Sequence, residues 1–506
     1  MTSFLILFFF ALLLASLLLA RDRRSHRHCR LPPGPTGWPL LGNILQLGSK
    51  PHQTLHALSK TYGPLLHLRF GSVHVIVASN ATTAAHFLRT HDANFSSRPP
   101  NSGAEHIAYN YRDLVFAPYG PRWRMLRRLC ALQLFSAKAL ENLRHVREEE
   151  VVCLVQGLAR AGKPVDVGAA VNTCATNALS RALVGRRVFS VDGSGEGPEE
   201  FKEMVVELMR LAGVFNVGDF VPAIAWLDPQ GLVRKMKKLH KRFDDFLNKL
   251  ITEHQEMADK SNNDMLSLLV KLKDETDGED VKLTDTEIKA LLLNLFTAGT
   301  DTTSSTVEWA LVELIRAPGL LGRLQDELDS VVGRDRLVSE SDLSELPLLQ
   351  AVVKETFRLH PSTPLSLPRV ATEDCKVDGF FIPSGTTLLV NVWAIGRDPE
   401  SWPDEPLAFR PDRFLPNGRH HGVDVKGGDF ELIPFGAGRR VCAGLSLGLR
   451  MVQFMVATLV HAYNWVLMEG DQADGLDMEE AFGLTLRRAM PFVAHPVPRL
   501  SRKAYD

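Results

Sequence analysis

The sequence predicts a mainly α-helical protein with small β-sheets, preceded by one N-terminal transmembrane helix. Apolar residues recur with helical spacing through most of residues 137–280, and again from Leu291 to Leu314. Residues 64–79 have the pattern of two short strands around a Gly-Ser turn, which predicts a β-hairpin. An almost unbroken apolar run near the start of the chain supplies the third observation.

That run extends from Phe4 to Ala20 and is interrupted only by Ser16. It is at the short end of the roughly 17–25 residues that span a hydrocarbon core. A cleaved signal peptide is the alternative, but it needs positive charge before the run, where this chain has none. Under the positive-inside rule, the arginines that follow place the rest of the chain in the cytosol. These arginines are Arg21, Arg23, Arg24, Arg27 and Arg30.

Prolines define the next part of the chain. Leu31-Pro32-Pro33-Gly34-Pro35 and Trp38-Pro39 predict a stiff extended connector that a helix cannot enter. Beyond it the sequence has neither an internal repeat nor a low-complexity linker. We therefore expect a transmembrane signal anchor over residues 1–20, a basic and proline-rich hinge over 21–38, and one globular domain over 39–506.

Composition excludes one class of function. The 506 residues carry a net charge of -1, which rules out a strongly basic nucleic-acid binder. Six cysteines are scattered without the spacing of a disulfide framework, which favours free thiols in a reducing compartment. The chemistry must therefore come from local motifs.

The most informative motif is the glycine-rich stretch 434–444, whose backbone can adopt positive φ and approach a flat ligand closely. It contains Cys442, and an apolar run typical of a buried helix begins at Leu445. A thiolate at a helix N-terminus, with Arg439 and Arg440 beside it, is expected to be stabilised. Such a thiolate serves as a nucleophile, a redox thiol or a metal ligand. No second cysteine lies nearby, which argues against a zinc knuckle or a redox pair.

Phe435, Gly438, Arg440, Cys442 and Gly444 follow the order Phe-x-x-Gly-x-Arg-x-Cys-x-Gly. This order resembles the haem-binding loop of the cytochrome P-450 monooxygenases. The alternative is a buried structural cysteine in a turn, the commoner role of a lone cysteine. The resemblance implies the cytochrome P-450 fold for the globular domain and a haem b whose iron is ligated by the Cys442 thiolate. It also implies that Phe435 and Arg440 bind this haem.

Trp123 and Arg127 are four positions apart, so they share a helix face. One interpretation is an amphipathic surface helix with the arginine stem packed on the tryptophan. The resemblance instead implies that both residues donate hydrogen bonds to a haem propionate. It also implies that Arg369, within Leu-Pro-Arg, is a further propionate ligand.

Small hydroxylated residues occupy the middle of the predicted helix Leu291–Leu314, in the stretch 298–305. They weaken a helical hydrogen-bond ladder and predict a local bulge that holds water. The alternative is a Ser/Thr-rich helix kink. The order Ala-Gly-x-Asp-Thr-Thr resembles the family's oxygen-activation motif, which implies that Asp301 and Thr302 deliver protons during dioxygen activation.

Glu355 and Arg358 also share one helix face, because they are three positions apart. The simplest interpretation is a surface salt bridge that contributes little to stability. The resemblance implies a buried Glu-x-x-Arg pair that is clamped by Arg413. Their implied role is structural.

The resemblance extends to the plant flavonoid hydroxylases through residues 92–100, 108–120, 214–220 and 483–486. It implies a flavonoid substrate that is hydroxylated at the 3' position of its B-ring. The 3'-hydroxylases have threonine at the position of Thr485, whereas 3',5'-hydroxylases tend towards alanine or serine. The alternatives are 3',5'-hydroxylation, 5'-hydroxylation of methylated flavones, or hydroxylation of another plant phenylpropanoid. The implied substrate pocket comprises Phe116, Ala298, Leu365, Ser366, Leu484 and Thr485.

The chain has no flavin or nicotinamide fingerprint after a predicted strand, so its electrons must come from another protein. The resemblance implies NADPH-cytochrome P-450 reductase as that partner and dioxygen as the second substrate. It also implies a single-pass protein of the endoplasmic reticulum membrane with a cytosolic catalytic domain. Two other functions stay open: a haem-thiolate isomerase or dehydratase that needs no dioxygen, and a haem-binding sensor or carrier.

Overall fold

The computed structural model describes residues 30–187, 196–257, 264–275, 283–470 and 472–505. The predicted anchor, residues 1–20, and the first part of the predicted hinge lie outside these residues. Among the described residues, one helix, Leu445–Ala462, is long and apolar enough to cross a membrane. Because 61% of it is buried inside the protein, it has the character of a core helix.

Helices form most of the domain, as predicted. They are α1 (Pro51–Tyr62), α2 (Ala81–Ala85), α3 (Ser102–His106), α4 (Pro121–Gln133), α5 (Ala137–Asn142), α6 (Arg144–Ala161), α7 (Val167–Val184), α8 (Glu196–Gly213), α9 (Val217–Phe220), α10 (Pro222–Ala225), α11 (Leu232–Met257), α12 (Met265–Glu275), α13 (Asp285–Arg316), α14 (Pro318–Val332), α15 (Pro347–Leu359), α16 (Val392–Ile395) and α17 (Leu445–Ala462). Proline occupies the first turn of α4, α14 and α15, where its missing N–H costs nothing.

The strands are short and form small sheets. They are β1 (Leu65–Phe70), β2 (Val73–Ala78), β3 (Val165–Asp166), β4 (Arg369–Val370), β5 (Cys375–Val377), β6 (Phe380–Ile382), β7 (Thr387–Val390), β8 (Tyr463–Leu467), β9 (Glu480–Ala481), β10 (Arg487–Arg488) and β11 (Val493–Pro498). The largest sheet has the order β1-β2-β7-β4, a three-stranded sheet has the order β3-β11-β8, and two pairs are β5-β6 and β9-β10. The predicted hairpin is confirmed: β1 and β2 pair antiparallel, with Leu65 opposite Ala78.

The central helix α13 runs through the core. A capping box between Thr284 and Glu287 starts it. Residues 288–296 pack in an apolar cluster with α4, α8 and α11, whereas residues 307–315 pack in another with α6, α7, α15 and α17. The hydroxyl-rich stretch between them is therefore held inside the domain by apolar contacts on both sides.

The bulge expected in this stretch is wrong, because α13 is an unbroken α-helix from Asp285 to Arg316. The threonine hydroxyls donate instead to carbonyls four residues earlier. Thr302 Oγ1 lies 2.7 Å from Ala298 O, and Thr306 Oγ1 lies 2.8 Å from Thr302 O. These extra hydrogen bonds give each hydroxyl a partner without interrupting the helix.

The described part of the proline-rich connector packs against the domain instead of standing apart as a spacer. Phe381 N donates to Arg30 O at 2.8 Å, and His67 N donates to Pro33 O at 2.8 Å. Gly34 lies so close to β1 that a Cβ atom would be 1.8 Å from His67 O. The connector therefore fixes where the chain enters the domain.

Candidate active site

A cavity of about 300 Å³ lies between α13 and the loop that precedes α17. All six predicted cofactor residues line it, although they come from distant parts of the chain. The predicted residues in its wall are Trp123, Arg127, Ala298, Thr302, Ser366, Arg369, Phe435, Arg440 and Cys442.

The loop with Cys442 owes its shape to glycine. Gly436 and Gly438 have φ of +69° and +70°, the left-handed region that glycine enters without strain. Cys442 N then donates to Phe435 O at 2.9 Å, which closes the loop just before α17. The Phe435 ring packs edge-on against Phe357, with ring centroids 5.2 Å apart. The loop thereby fixes both Phe435 and Cys442 in the cavity wall.

Cys442 is accessible from the cavity although protein atoms surround it. This burial raises the pKa of its thiol, and the Gly444 N–H and the Arg127 guanidinium lower it to a smaller extent. The prediction that Arg439 and Arg440 stabilise the thiolate is therefore wrong, because Arg127 is the cation that acts on Cys442. A bound metal would favour deprotonation of Cys442, because a coordinating thiol gives up its proton.

The guanidinium of Arg440 makes its hydrogen bonds to groups other than Cys442. Its Nε donates to Ser96 O at 2.7 Å and its Nη2 donates to Ala117 O at 2.5 Å. The guanidinium carbon lies 4.4 Å from the centroid of the Trp123 ring. The third nitrogen, Nη1, is buried without a hydrogen-bond partner among the described residues. A buried cation with a free donor in a cavity wall suits an anionic ligand.

Arg369 comes from β4 and is buried in the same wall. Its Nη2 donates to Ala437 O at 2.6 Å, and its Nη1 donates to Asp92 Oδ1 at 3.3 Å. Burial lowers the pKa of Arg369 to about 10, as it does for Arg440. Both residues therefore remain cations at neutral pH.

Arg98 is a cavity residue to which the sequence assigned no role. It donates through Nε to Val115 O at 3.1 Å and through Nη1 to Leu367 O at 2.8 Å. Burial, with Arg369 and Arg440 nearby, lowers the pKa of Arg98 well below its usual value. The only sequence signal was an arginine within a long irregular segment.

Trp123 and Arg127 lie together, with the guanidinium carbon 6.0 Å from the indole centroid. Trp123 Nε1 donates to Leu114 O at 3.0 Å, and Arg127 Nη2 donates to Cys442 O at 3.4 Å. Donation by both residues to a propionate stays a prediction. For Trp123 it requires exchange of the hydrogen bond to Leu114.

A smaller cavity of about 110 Å³ lies beside the first. Phe116, Leu484 and Thr485 line only this smaller cavity, whereas Ala298 and Thr302 line both. Ser366 lines the larger one. The predicted pocket residues are thus divided between the walls of two neighbouring cavities, and residues of α13 line both cavities.

The structure does not support the prediction that Leu365 lines the substrate pocket. Leu365 is buried in an apolar cluster with Leu66 and Leu389, and in the described structure it lines neither cavity. Its neighbour Ser366 has φ of +55°, which turns the chain so that the serine faces the cavity. Sequence spacing could not reveal this turn, because it contains no glycine.

Asn294 is a second residue that the sequence did not single out. It lines both cavities, and its Oδ1 accepts from Leu114 N at 2.9 Å and from Val115 N at 3.0 Å. These hydrogen bonds fix the irregular segment against α13. The available signal was a single amide within the apolar run Leu291–Phe296.

Asp301 and Thr302 are adjacent in sequence but have different surroundings. Thr302 lines both cavities, whereas Asp301 is buried and lines neither of them in the described structure. Arg487 of β10 pairs with both oxygens of Asp301, and its Nε lies 3.0 Å from Oδ2. Only Thr302 therefore faces the space where a ligand would bind.

A family model for cytochrome P-450 matches residues 32–491. The chain belongs to the cytochrome P-450 family. This cytochrome P-450 is 65% identical to a flavonoid 3'-monooxygenase of Crocosmia x crocosmiiflora, over 100% of both chains. It is also 65% identical to a flavonoid 3'-monooxygenase of Oryza sativa subsp. japonica, over 96% of this chain and 93% of that one. A flavonoid 3',5'-hydroxylase of Crocosmia x crocosmiiflora is 56% identical, over 100% and 99%.

A haem ligated by a cysteine thiolate is the cofactor of this family, and the residues of this cytochrome P-450 fit it. Cys442 faces the larger cavity, and Arg440 Nη1 is a buried donor without a partner in the described structure. We infer that Cys442 would hold the iron, and that Arg98, Arg369 and Arg440 would hold the haem carboxylates. When bound, the haem supplies dioxygen activation and electron transfer.

The Glu-x-x-Arg motif of this cytochrome P-450 is fully buried, so it is not a surface salt bridge. Arg358 donates to both oxygens of Glu355 at 2.7 Å, and Arg413 Nε donates to Glu355 Oε1 at 3.1 Å. Arg358 also donates to Pro406 O at 2.6 Å and Ala408 O at 2.9 Å. The motif therefore ties α15 to the segment around Pro406 and Ala408, which precedes the loop 434–444 that contains Cys442 (the cysteine loop).

Proposed function

We propose that this protein hydroxylates the B-ring of a flavonoid at the 3' position, with dioxygen and with electrons from NADPH. Two relatives that are 65% identical over nearly the whole chain carry the name flavonoid 3'-monooxygenase, and the relative named 3',5'-hydroxylase is less similar. The observation that carries the proposal is that the two cavities share wall residues, among them Ala298 and Thr302. A ligand in the smaller cavity would meet the cofactor there.

The smaller cavity suits a flat aromatic ring. Its walls are mostly apolar, with side chains such as Phe116, Leu293 and Leu484. Burial of the ring stabilises binding without fixing its rotation, because the hydrophobic effect has no direction. Polar groups must therefore set which ring carbon faces the cofactor.

Three threonine hydroxyls in the smaller cavity have their protons engaged by the protein. Thr297 donates to Leu293 O at 2.7 Å, Thr302 donates to Ala298 O at 2.7 Å, and Thr485 Oγ1 lies 3.6 Å from Met209 Sδ. Their oxygens keep lone pairs, so they act as acceptors. A phenolic substrate supplies the matching donors. A 4'-hydroxyl held in this way would leave the neighbouring 3' carbon towards the larger cavity.

We further propose the roles that the motifs imply. Thr302 would hold or pass a proton at its Oγ1, because that atom faces the cavities. Asp301 would supply protons to it after loosening from Arg487. Positioned acid groups of this kind contribute about 100-fold or more to a rate.

The proposed setting is the endoplasmic reticulum membrane. Residues 1–20 would anchor the chain, the domain would face the cytosol, and NADPH-cytochrome P-450 reductase would deliver electrons. The apolar run followed by arginines supports the anchor.

The deciding experiment is a substrate panel on microsomes that contain the full chain, reductase and NADPH. We expect naringenin, apigenin and kaempferol to gain one oxygen and become 3',4'-catechols. The matched control is Cys442→Ala in the same membranes, which should form no product. Conversion of a terpenoid or fatty acid, with every flavonoid unchanged, would show that the substrate class is wrong.

A further inference from the structure

A buried carboxylate to which the sequence assigned no role contacts the cysteine loop. Asp92 is 7% exposed and lies between α2 and the irregular segment that follows. Arg439 N donates to both of its oxygens, at 3.0 and 3.1 Å, and Arg439 Nη1 donates to Oδ2 at 2.7 Å. Arg369 Nη1 donates to Oδ1 at 3.3 Å. One carboxylate thus joins the loop of Cys442 to an arginine of the cofactor cavity.

The loop is shaped around this carboxylate. A Cβ atom at Gly438 would lie 2.2 Å from Asp92 Oδ1 and 2.5 Å from Leu88 O. Glycine is therefore required at position 438 for close approach as well as for its positive φ. The contact between Asp92 and the loop is thus tight at the backbone level.

The segment 92–98 holds both sides of the cavity wall. Ser96 O accepts from Arg440 Nε at 2.7 Å, on the side of the cysteine loop. Ser97 O accepts from Val370 N at 3.1 Å, on the side of β4. Ser96 and Ser97 contribute neutral carbonyl groups, whereas Asp92 contributes a negative charge. That charge contacts Arg439 on the side of the cysteine loop and Arg369 on the side of β4.

We propose that Asp92 is a positioning residue for the haem site. It fixes the first half of the cysteine loop through the Arg439 N–H, and it orients Arg369 towards the cavity. Without its charge, the buried Arg369 would lose its counter-ion, and the Arg439 N–H would lose its acceptor. This inference rests on haem binding by the family and does not depend on the flavonoid substrate.

The test compares variants of the full chain loaded with haem. Asp92→Ala removes every contact, whereas Asp92→Asn keeps an acceptor for the Arg439 N–H and removes only the charge. The matched control is Asn94→Ala. Asn94 lies in the same segment and accepts from Thr372 N and Glu373 N at 2.8 Å, with no contact to the cysteine loop among its described hydrogen bonds.

Two readouts separate positioning from general stability. The first is the rate at which haem passes to excess apomyoglobin, and the second is the Soret band of the reduced, carbon-monoxide-bound protein. We expect Asp92→Ala to release haem roughly 10–100-fold faster than the wild type, as for other residues that orient a metal ligand. It should also lose part of the Soret signature of thiolate ligation. Asp92→Asn should be intermediate, and Asn94→Ala should resemble the wild type.

Equal haem release by Asp92→Ala and Asn94→Ala would overturn the proposal. So would a lower unfolding temperature of Asp92→Ala with haem release and Soret band unchanged. If Asp92→Ala does not fold, Asp92→Asn decides: wild-type values in both readouts would overturn the role of the charge. Neither readout uses a substrate, so a failure of flavonoid hydroxylation leaves this result intact.

Discussion

Arg487 holds both carboxylate oxygens of Asp301, while the next residue, Thr302, lines both cavities. A buried carboxylate needs such a partner, because an unpaired charge in the interior is costly. The same pairing keeps Asp301 away from any ligand. Stability and proton delivery therefore make opposite demands on this carboxylate.

Arg487→Gln should destabilise the protein, because it leaves the Asp301 charge buried without a cation. We expect the free energy of unfolding to fall by about 3 kcal/mol, the low end for buried pairs, since Arg487 is 27% exposed. Denaturant unfolding measures the change. Arg323→Gln is the control, because its pair with Asp412 is exposed and should contribute less than about 1 kcal/mol. Equal losses in the two variants would contradict the burial argument.

Thr302→Ala should fold and load haem normally, because a helix tolerates alanine well. NADPH consumption should continue while product per NADPH falls about tenfold or more and peroxide rises. Thr306→Ala is the matched control, since Thr306 makes the same backward hydrogen bond at 2.8 Å but lines neither described cavity. Unchanged coupling in Thr302→Ala would exclude the proton-delivery role.

Thr485→Ala or Thr485→Ser should add some 3',4',5'-trihydroxylated product to the 3',4'-catechol. Thr485 is 3% exposed in the smaller cavity, so a smaller side chain gives the ring space to shift. A displacement of about 1 Å is enough to change rates about a hundredfold. Product ratios by mass spectrometry measure the effect, with Thr300→Ala as a control outside both described cavities. An unchanged ratio would refute only the regiochemical argument.

Cys442→Ala should abolish the Soret signature of thiolate-ligated haem, whereas Arg440→Ala should only lower haem occupancy. The second variant removes a charge-assisted contact and leaves the iron ligand in place. Cys130→Ala is the control, because Cys130 is buried away from the larger cavity. A thiolate signature that survives in Cys442→Ala would show that another residue ligates the iron.

Asp113 should give a pH-dependent contribution to stability. Burial raises the pKa of its carboxyl from 3.8 to about 6, so the folded state binds its proton more tightly than the unfolded state. This contribution is fully present below pH 3.8 and is lost as pH rises to about 6, by about 3 kcal/mol. Asp113→Asn should therefore gain stability relative to the wild type across this window. A difference independent of pH would contradict the assignment.

The sequence predicted the elements whose pattern is local. The spacing within α13, the Glu355–Arg358 helix face and the glycines around Cys442 are all set within a few residues. Such features follow from helical periodicity and backbone sterics, so they could be read from the chain.

The partners of the arginines could not be predicted. Arg439 pairs with Asp92, 347 positions earlier, and not with the neighbouring cysteine. Contacts of that kind are set by how distant segments pack, which spacing along the chain does not encode. The prediction of a bulge in α13 was wrong for another reason. The threonine hydroxyls donate to carbonyl groups of their own helix, so the helix stays unbroken.

The packing of the proline-rich connector against the domain would also limit the distance between the domain and the proposed membrane anchor. The proposed anchor ends at Ala20, and the chain is already hydrogen-bonded to the domain at Arg30. The nine residues between them can span at most roughly 30 Å when fully extended. With the proposed anchor, the point where the chain enters the domain would lie within this distance of the membrane surface, and a flavonoid dissolved in that surface would be close to the domain.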